Sequence, residues 1–122
     1  MLSRLSDQFY CVAPDQRGYG ESWRGGAVGD YAAKHLAADA LGMIDMFGNG
    51  RAKAVVGHDW GASVAYACAM RAPAKLQHLI IANGVHPAPF QSSLAAGGSQ
   101  SKASQYIEWL RAVGSEKALV AN

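Results

Sequence analysis

The stretch AVVGHDWGA, residues 54–62, joins a short apolar run to a glycine-flanked turn and then to a segment of small residues. Apolar and β-branched residues before the turn favour a buried strand. Residues 62–71 are small and apolar on nearly every side, which is typical of a buried helix that stops before Pro73. Asp59 is therefore expected at a tight turn between a strand and a helix.

Two further apolar runs continue the pattern on either side. Residues 9–13, FYCVA, are predicted to form a buried strand, and residues 79–82, LIIA, another. Between the first two strands, residues 36–47 carry apolar side chains at helical spacing, with Asp30 as the expected N-cap and residues 48–50 as the stop. The order strand, helix, strand, helix, strand predicts an α/β fold with a mostly parallel sheet flanked by helices.

The residues around Asp59 have the spacing of a nucleophile elbow, in which Gly57 and Gly61 flank the central residue. We expect a strained backbone at Asp59 and glycines where neighbouring atoms approach closely. The helix N-terminus that follows favours developing negative charge. A carboxylate needs no general base and can attack an sp3 carbon that bears a leaving group, forming an alkyl-enzyme ester. Alternatively, the glycines only make a turn and Asp59 only caps the helix; the flanking strand and helix favour the elbow.

The composition changes near residue 86. The sequence HPAP at residues 86–89 is followed by a stretch rich in Ser, Gly and Gln, residues 91–101. A helix is expected over residues 103–111, and Ser115 is the expected cap of another short helix. These features predict one unit over residues 1–85 and a second, helical unit over residues 86–122.

Several function classes are disfavoured by composition. The formal net charge is +2 over 122 residues and the basic residues are scattered, so neither nucleic acid nor an anionic membrane is an expected partner. The chain has no apolar run of about 18 residues and no signal peptide at its start, so a cytoplasmic protein is expected. Cys11 and Cys68 are expected to be buried free thiols. No metal or cofactor is expected, because no cluster of ligand residues occurs. Residues 18–29 form a Gly-rich stretch that is expected to be loop, but no phosphate-binding Lys follows it.

Three segments, in order, resemble the epoxide hydrolase branch of the α/β-hydrolase family. Residues 15–22, DQRGYGES, look like the family's loop after strand four, and residues 56–62, VGHDWGA, look like its elbow after strand five. Residues 86–114 are similar to the exit of strand six and the start of the cap domain. The resemblance implies a partial α/β-hydrolase core with the nucleophile elbow over residues 1–85, and the beginning of a helical cap over residues 86–122.

The resemblance also implies roles for individual residues. Asp59 would attack an epoxide carbon, and the backbone N–H of Trp60 would form half of the oxyanion hole. Tyr106 falls where a cap tyrosine that protonates the epoxide oxygen is expected. The alternative for Tyr106 is an aromatic side chain on a helix face that packs with Trp109 or Leu110.

Four other polar residues near the motifs are expected to be structural. Asp15 and Arg17 are predicted to form an ion pair that braces their loop. His58 is expected to pack beneath the elbow. His86 follows a strand at the edge where α/β sites gather, but the family's catalytic His comes after the cap, so no catalytic role is expected.

Parts of the family's machinery are not found in the sequence. The catalytic acid and His should follow the cap, and the His-Gly-x-Pro loop and strands one to three should precede residue 1. The chain is therefore expected to be an inactive, marginally stable and aggregation-prone fragment of a hydrolase. Since the family's strand three lies between strands four and five, residues 9–13 should either leave a slot in the sheet or collapse onto the strand before Asp59. Four or more contiguous paired strands would contradict this expectation.

The leading functional interpretation is a fragment of an epoxide hydrolase that converts a small-molecule epoxide to a diol. A haloalkane dehalogenase is the nearest alternative, because it also uses an elbow Asp followed by Trp, whose indole N–H can hold halide. Tyr106 favours the epoxide, since an alkoxide needs a proton and a halide does not. A fluoroacetate-type dehalogenase would be expected to have Arg after the nucleophile. A further alternative is a non-catalytic remnant of an α/β-hydrolase.

Overall fold

The computed structural model describes residues 2–120 of the chain. In chain order its helices and strands are α1 (Leu2–Leu5), α2 (Ala33–Gly48), β1 (Ala52–His58), α3 (Trp60–Arg71), β2 (Leu76–Ala82), α4 (Pro87–Ala95), α5 (Ser99–Ala103), α6 (Gln105–Arg111) and α7 (Ser115–Val120). Short 3-10 turns lie at Val28–Tyr31 and Pro73–Lys75. Residue 1 of the first predicted unit and residues 121 and 122 of the second lie outside the described residues.

Strands β1 and β2 pair in parallel, which confirms the predicted parallel arrangement for these two strands. The register runs from Ala52 opposite Leu76 to His58 opposite Ala82, and α3 makes the connection between the strands. Because successive side chains of a strand point to opposite faces, one face of the pair lies against α3 and the other is open. Val56 and Ile80 are register partners that remain 50% and 49% exposed.

The core lies where α2 packs on α3. Its buried members are Ala37, Val64 and Cys68, and the first and last of these have no exposed surface. Small side chains at these positions let the two helices approach closely. The Cys68 thiol lies 3.6 Å from the carbonyl oxygen of Ala37, to which it donates a hydrogen bond, and burial raises its pKa. Cys68 is thus the buried free thiol that was predicted.

The segment at residues 9–13 differs from its prediction. It forms no strand, and the backbone of residues 10–13 makes no hydrogen bond to any described residue. Tyr10 is 80% exposed, and Cys11 is half-buried rather than part of the core. The prediction of a buried strand is wrong because a strand needs a neighbour to pair with, and β1 pairs only with β2 among the described residues. The expectation that this segment lacks a paired neighbour is confirmed, and no collapse onto β1 occurs.

The start of α2 also differs from the expectation. The helix begins at Ala33 with Ala32 in the N-cap position, so the assignment of Asp30 as N-cap is wrong. Asp30 lies in the preceding 3-10 turn, where its carboxylate accepts a hydrogen bond of 3.1 Å from the N–H of Ala27. The end of α2 is as predicted, because Asn49 adopts a left-handed conformation with a φ of 50° and stops the helix.

Helix α4 was not predicted. Pro87 occupies its first turn, and the His86 ring accepts a hydrogen bond of 3.2 Å from the N–H of Ala88, so His86 is the N-cap. A Pro at the first helical position is a recognised start signal, but the Ser- and Gln-rich composition that follows concealed it. Within residues 2–120, no helix is both long and apolar enough to cross a membrane.

The helix expected over residues 103–111 is present as α6, which begins two residues later, at Gln105. Helix α5 was not predicted, and the buried Ser104 separates it from α6. Ser115 is the first residue of α7 rather than its cap. Its hydroxyl donates a hydrogen bond of 2.8 Å to the carbonyl oxygen of Leu110. Helices α6 and α7 were therefore predicted, but they begin at residues other than those expected.

Candidate active site

The turn between β1 and α3 places Asp59 in an unusual backbone conformation. Its φ is 52° and its ψ is −120°, a combination that residues with a Cβ atom rarely adopt. Two hydrogen bonds hold this conformation. The N–H of Asp59 donates to the carbonyl oxygen of Ala82 at 3.4 Å, and the carbonyl oxygen of Asp59 accepts from the N–H of Ala62 at 2.9 Å. The strained turn is therefore stabilised both by α3 and by the end of β2.

The two flanking glycines have different roles. A Cβ atom at Gly57 would lie 2.5 Å from the carbonyl oxygen of Gly61 and 2.7 Å from the Cα of Ala62, so no larger residue fits. A Cβ atom at Gly61 would meet only the Gln16 side chain, at 3.8 Å, which is an ordinary contact. The steric requirement expected at both positions is thus confirmed for Gly57 and wrong for Gly61. The backbone of Gly61, not its missing side chain, is what comes close to Gly57.

The carboxylate of Asp59 makes no hydrogen bond to any described residue. Asp59 occupies the N-cap position of α3, yet its side chain does not cap the helix. Within residues 2–120, the N–H groups of Trp60 and Gly61 also have no hydrogen-bond acceptor. This contradicts the interpretation that Asp59 only caps the helix. An exposed carboxylate and two unpaired N–H groups at a helix N-terminus remain available at one turn.

Arg17 is a structural brace, but its partner is not Asp15. Its guanidinium donates to both carboxylate oxygens of Asp39 at 2.6 and 2.7 Å, and to the carbonyl oxygen of Asp30 at 2.7 Å. The hydrogen bonds to Asp39 raise the pKa of Arg17, and the ring of Trp23 lies 5.2 Å from the guanidinium carbon. The predicted Asp15–Arg17 pair is wrong. Asp39 was missed because no spacing rule relates a loop residue to a helix residue 22 positions later.

Of the two histidines near the motifs, His58 does not lie where it was expected, whereas His86 follows a strand as predicted. His58 is exposed, so the prediction that it packs beneath the turn is wrong. His86 caps α4, and its ring meets the edge of Tyr66 with the ring centroids 4.9 Å apart. Tyr106 lies in α6 with 61% of its surface exposed, and Trp109 in the same helix is 49% exposed. Within residues 2–120, no hydrogen bond joins the side chains of Tyr106 and Asp59, and no group of three or more potential metal ligands comes together.

The chain matches known proteins along nearly its whole length. A family model described as the alpha/beta hydrolase fold matches residues 1–111. Epoxide hydrolase 1 of Caenorhabditis elegans is 35% identical over 106 residues, which are 87% of this chain and 26% of that protein. Epoxide hydrolase 3 of Xenopus tropicalis is 34% identical over 106 residues, covering 87% of this chain and 29% of that protein.

A solved structure from work on novel epoxide hydrolases of the α/β-hydrolase superfamily, in metagenomes from hot environments, is also similar. It superposes with a TM-score of 0.88 at 38% identity, over 95% of this chain and 39% of that one. The chain spans between a quarter and a third of the length of the two curated relatives described above. On this evidence the chain belongs to the α/β-hydrolase family, and within that family it resembles the epoxide hydrolases.

Proposed function

We propose that this chain carries the nucleophile of an epoxide hydrolase, and that the nucleophile is Asp59 in a nucleophile elbow. The observation that carries the proposal is the strained turn at Asp59, where the carboxylate does not cap the helix. The N–H of the next residue, Trp60, has no hydrogen-bond acceptor within residues 2–120. Strain of this kind costs about 1–3 kcal/mol and persists where the surrounding structure or a function requires it. The similarity to epoxide hydrolases supplies the reaction class.

The proposed first step is a substitution at carbon. One oxygen of the Asp59 carboxylate attacks an epoxide carbon, the bond from that carbon to the epoxide oxygen breaks, and the oxygen leaves as an alkoxide. The alkoxide takes a proton from a donor, and the product is a hydroxyalkyl ester of Asp59. The exposed phenol of Tyr106 is our candidate for this donor, because a phenol can give a proton to an alkoxide.

The second step is hydrolysis of the ester. Water adds to the ester carbonyl, the oxyanion accepts a hydrogen bond from the N–H of Trp60, and collapse releases the diol and regenerates the Asp59 carboxylate. The attacking water needs a base, and within residues 2–120 no His or carboxylate is hydrogen-bonded to Asp59. We therefore propose that the 122-residue chain alone forms the ester faster than it hydrolyses it.

We also propose that residues 1–85 and 86–122 are the core and the start of the cap. Helices α4 to α7 follow one another after His86, which lies four residues beyond the end of β2, and no further strand occurs in the described part of this region. A helical cap over the elbow would exclude water and carry Tyr106. The proposed partner is thus a small-molecule epoxide and not a macromolecule.

The test is covalent trapping on the chain itself. Incubation with styrene oxide is expected to increase the intact mass by one epoxide, and peptide mapping should locate the adduct on Asp59. The adduct should be removed by mild base, since an ester is base-labile whereas a thioether on Cys11 is not. Asp59→Asn keeps the side-chain size and should abolish this adduct, while Tyr106→Phe should slow its formation. An Asp59→Asn chain that labels like the unmodified chain would falsify the proposal.

A haloalkane dehalogenase is the second candidate, and the exposed indole of Trp60 favours it. Trp60 directly follows Asp59 and is 68% exposed, and its ring N–H is the donor that this reaction would use for the leaving halide. The same experiment with 1,2-dibromoethane distinguishes the two reactions. An Asp59 ester formed with bromide release, and none with styrene oxide, would reverse the order of the candidates. No ester with either reagent would leave a non-catalytic remnant as the remaining interpretation.

A further inference from the structure

We propose that Gly84 is a positioning residue for the Asp59 turn, a role that rests on the proposed function of Asp59. Gly84 lies outside the sequence motif, two residues after the end of β2. Its lack of a side chain lets the chain that leaves β2 pass directly against the first turn of α3. The proposal is that this close approach sets the placement of the Asp59 carboxylate and of the Trp60 N–H.

The contact at Gly84 is very close. Asn83, with a φ of 50°, turns the chain after β2. A Cβ atom at Gly84 would lie 2.3 Å from the Cβ of Ala62 and 3.0 Å from the Cγ2 of Ile81. A separation of 2.3 Å between two carbon atoms is far inside van der Waals contact, so one of the two segments would have to move.

A displacement of Ala62 would also displace the turn at Asp59. It is 1% exposed, and the Cβ position at Gly57 lies 2.7 Å from its Cα on the β1 side. Its N–H is hydrogen-bonded to the carbonyl oxygen of Asp59 at 2.9 Å. The first turn of α3 is thus held between Gly57 and Gly84, and a displacement at Ala62 is transmitted to the backbone of Asp59 and Trp60.

The β2 side holds the turn by a second contact as well. The N–H of Asp59 donates to the carbonyl oxygen of Ala82, two residues before Gly84. A shift of the chain at residues 82–84 therefore acts on Asp59 directly through this hydrogen bond and indirectly through Ala62. The φ of Gly84 lies outside the range of 20° to 160°, so an alanine there does not meet the strain of a left-handed backbone. The substitution Gly84→Ala thus tests the contact with Ala62 and not backbone strain.

The experiment measures the rate of Asp59 labelling by styrene oxide in four variants of the full chain. Gly84→Ala should lower the rate constant at saturating epoxide about 10- to 100-fold, because a misplacement of about 1 Å at a reacting group can have this effect. Gly84→Ala combined with Ala62→Gly removes the opposing Cβ and should restore the rate to that of Ala62→Gly alone. Gly42→Ala is the control, since nothing lies within 4 Å of its added Cβ and its rate should not change.

A positioning role predicts a fall in the rate constant per folded molecule. Rates are therefore measured below the unfolding transition of every variant, and the epoxide concentration for half-maximal rate is determined separately. A Gly84→Ala chain that labels at the parent rate, or a double variant that stays as slow as Gly84→Ala, refutes the proposal. A merely structural role would change the unfolding midpoint and leave the rate per folded molecule unchanged.

Failure of the proposed function gives a different result. If the unmodified chain does not label, the proposed role of Asp59 fails, and backbone amide chemical shifts then test the placement alone. Gly84→Ala should shift the amide signals of Asp59, Trp60 and Ala62, and Ala62→Gly in the same chain should reverse the shifts of Asp59 and Trp60. Unchanged signals in Gly84→Ala would show that Gly84 does not position the turn.

Discussion

The backbone conformation of Asp59 leads to an unusual prediction for stability. Asp59→Gly and Asp59→Ala both remove the carboxylate, so they lose the same charge at the N-terminus of α3. They differ in the Cβ atom, which is what makes a φ of 52° with a ψ of −120° unfavourable. We expect the glycine variant to be the more stable of the two.

The magnitude follows from two opposing terms. Relief of the strain at residue 59 stabilises the glycine variant by about 1–3 kcal/mol. The greater freedom of glycine in the unfolded chain destabilises it by about 0.5–1 kcal/mol relative to alanine. The glycine variant should therefore be more stable by about 0–2.5 kcal/mol, with a central value near 1 kcal/mol. At an ordinary helical position the sign is the opposite.

Urea unfolding followed by circular dichroism measures the difference, provided that both variants unfold with the same dependence on urea. Ser63 is the matched control, because it is exposed in α3 and has an ordinary helical backbone. There alanine should be more stable than glycine by about 1 kcal/mol. Greater stability of the alanine variant at residue 59, as at Ser63, would refute the claim that the turn is strained.

Three further outcomes are expected. Gly57→Ala should lower the free energy of unfolding by about 1–3 kcal/mol, because its Cβ meets backbone atoms. Gly61→Ala should be nearly neutral in the same urea experiment, and equal losses in the two variants would contradict the different roles of the two glycines. Cys11 should react with a thiol reagent in the native chain while Cys68, whose pKa is raised by burial, reacts only on unfolding; mass spectrometry of the modified peptides would reveal the opposite order. Ile80→Thr should reduce self-association measured by light scattering, because Ile80 is 49% exposed on the open face of the sheet, and unchanged scattering would argue against that face as its cause.

The part of the fold that was predictable from sequence is the part encoded by local patterns. The apolar runs and the helical spacing located β1, β2 and the helices α2 and α3, and the left-handed stop at Asn49 followed from its glycine neighbours. The segment at residues 9–13 has the same apolar character, yet it is not a strand. Apolar composition reports a tendency to be buried, whereas a strand also needs a partner, and the sequence of the segment contains no information about that partner.

The contacts that define the site were less predictable. The conformation at Asp59 and the steric need for Gly57 followed from the motif, because both arise within a few residues of the turn. The pairing of Arg17 with Asp39 did not, since opposite charges are common and only the packed structure selects which pair forms. The close contact at Gly84 could not be predicted from sequence either, because only the packed structure shows which residue lies against it. Its neighbour Ala62 is more than 20 positions away, and a glycine after a strand usually indicates only a turn.

The hydrogen bond from Asp59 to Ala82 has a consequence for protein engineering. If residues 57–61 were transplanted into another strand–helix connection, the graft would contain Asp59 and its flanking glycines. It would lack the carbonyl group of Ala82, which accepts the hydrogen bond from the Asp59 N–H, and Gly84, against which the first turn of α3 packs. Without these two supports the turn would relax to an ordinary conformation and the carboxylate would become a conventional helix cap. The smallest portable unit is therefore the whole of residues 52–84, and a shorter graft would carry the sequence of the site without its geometry.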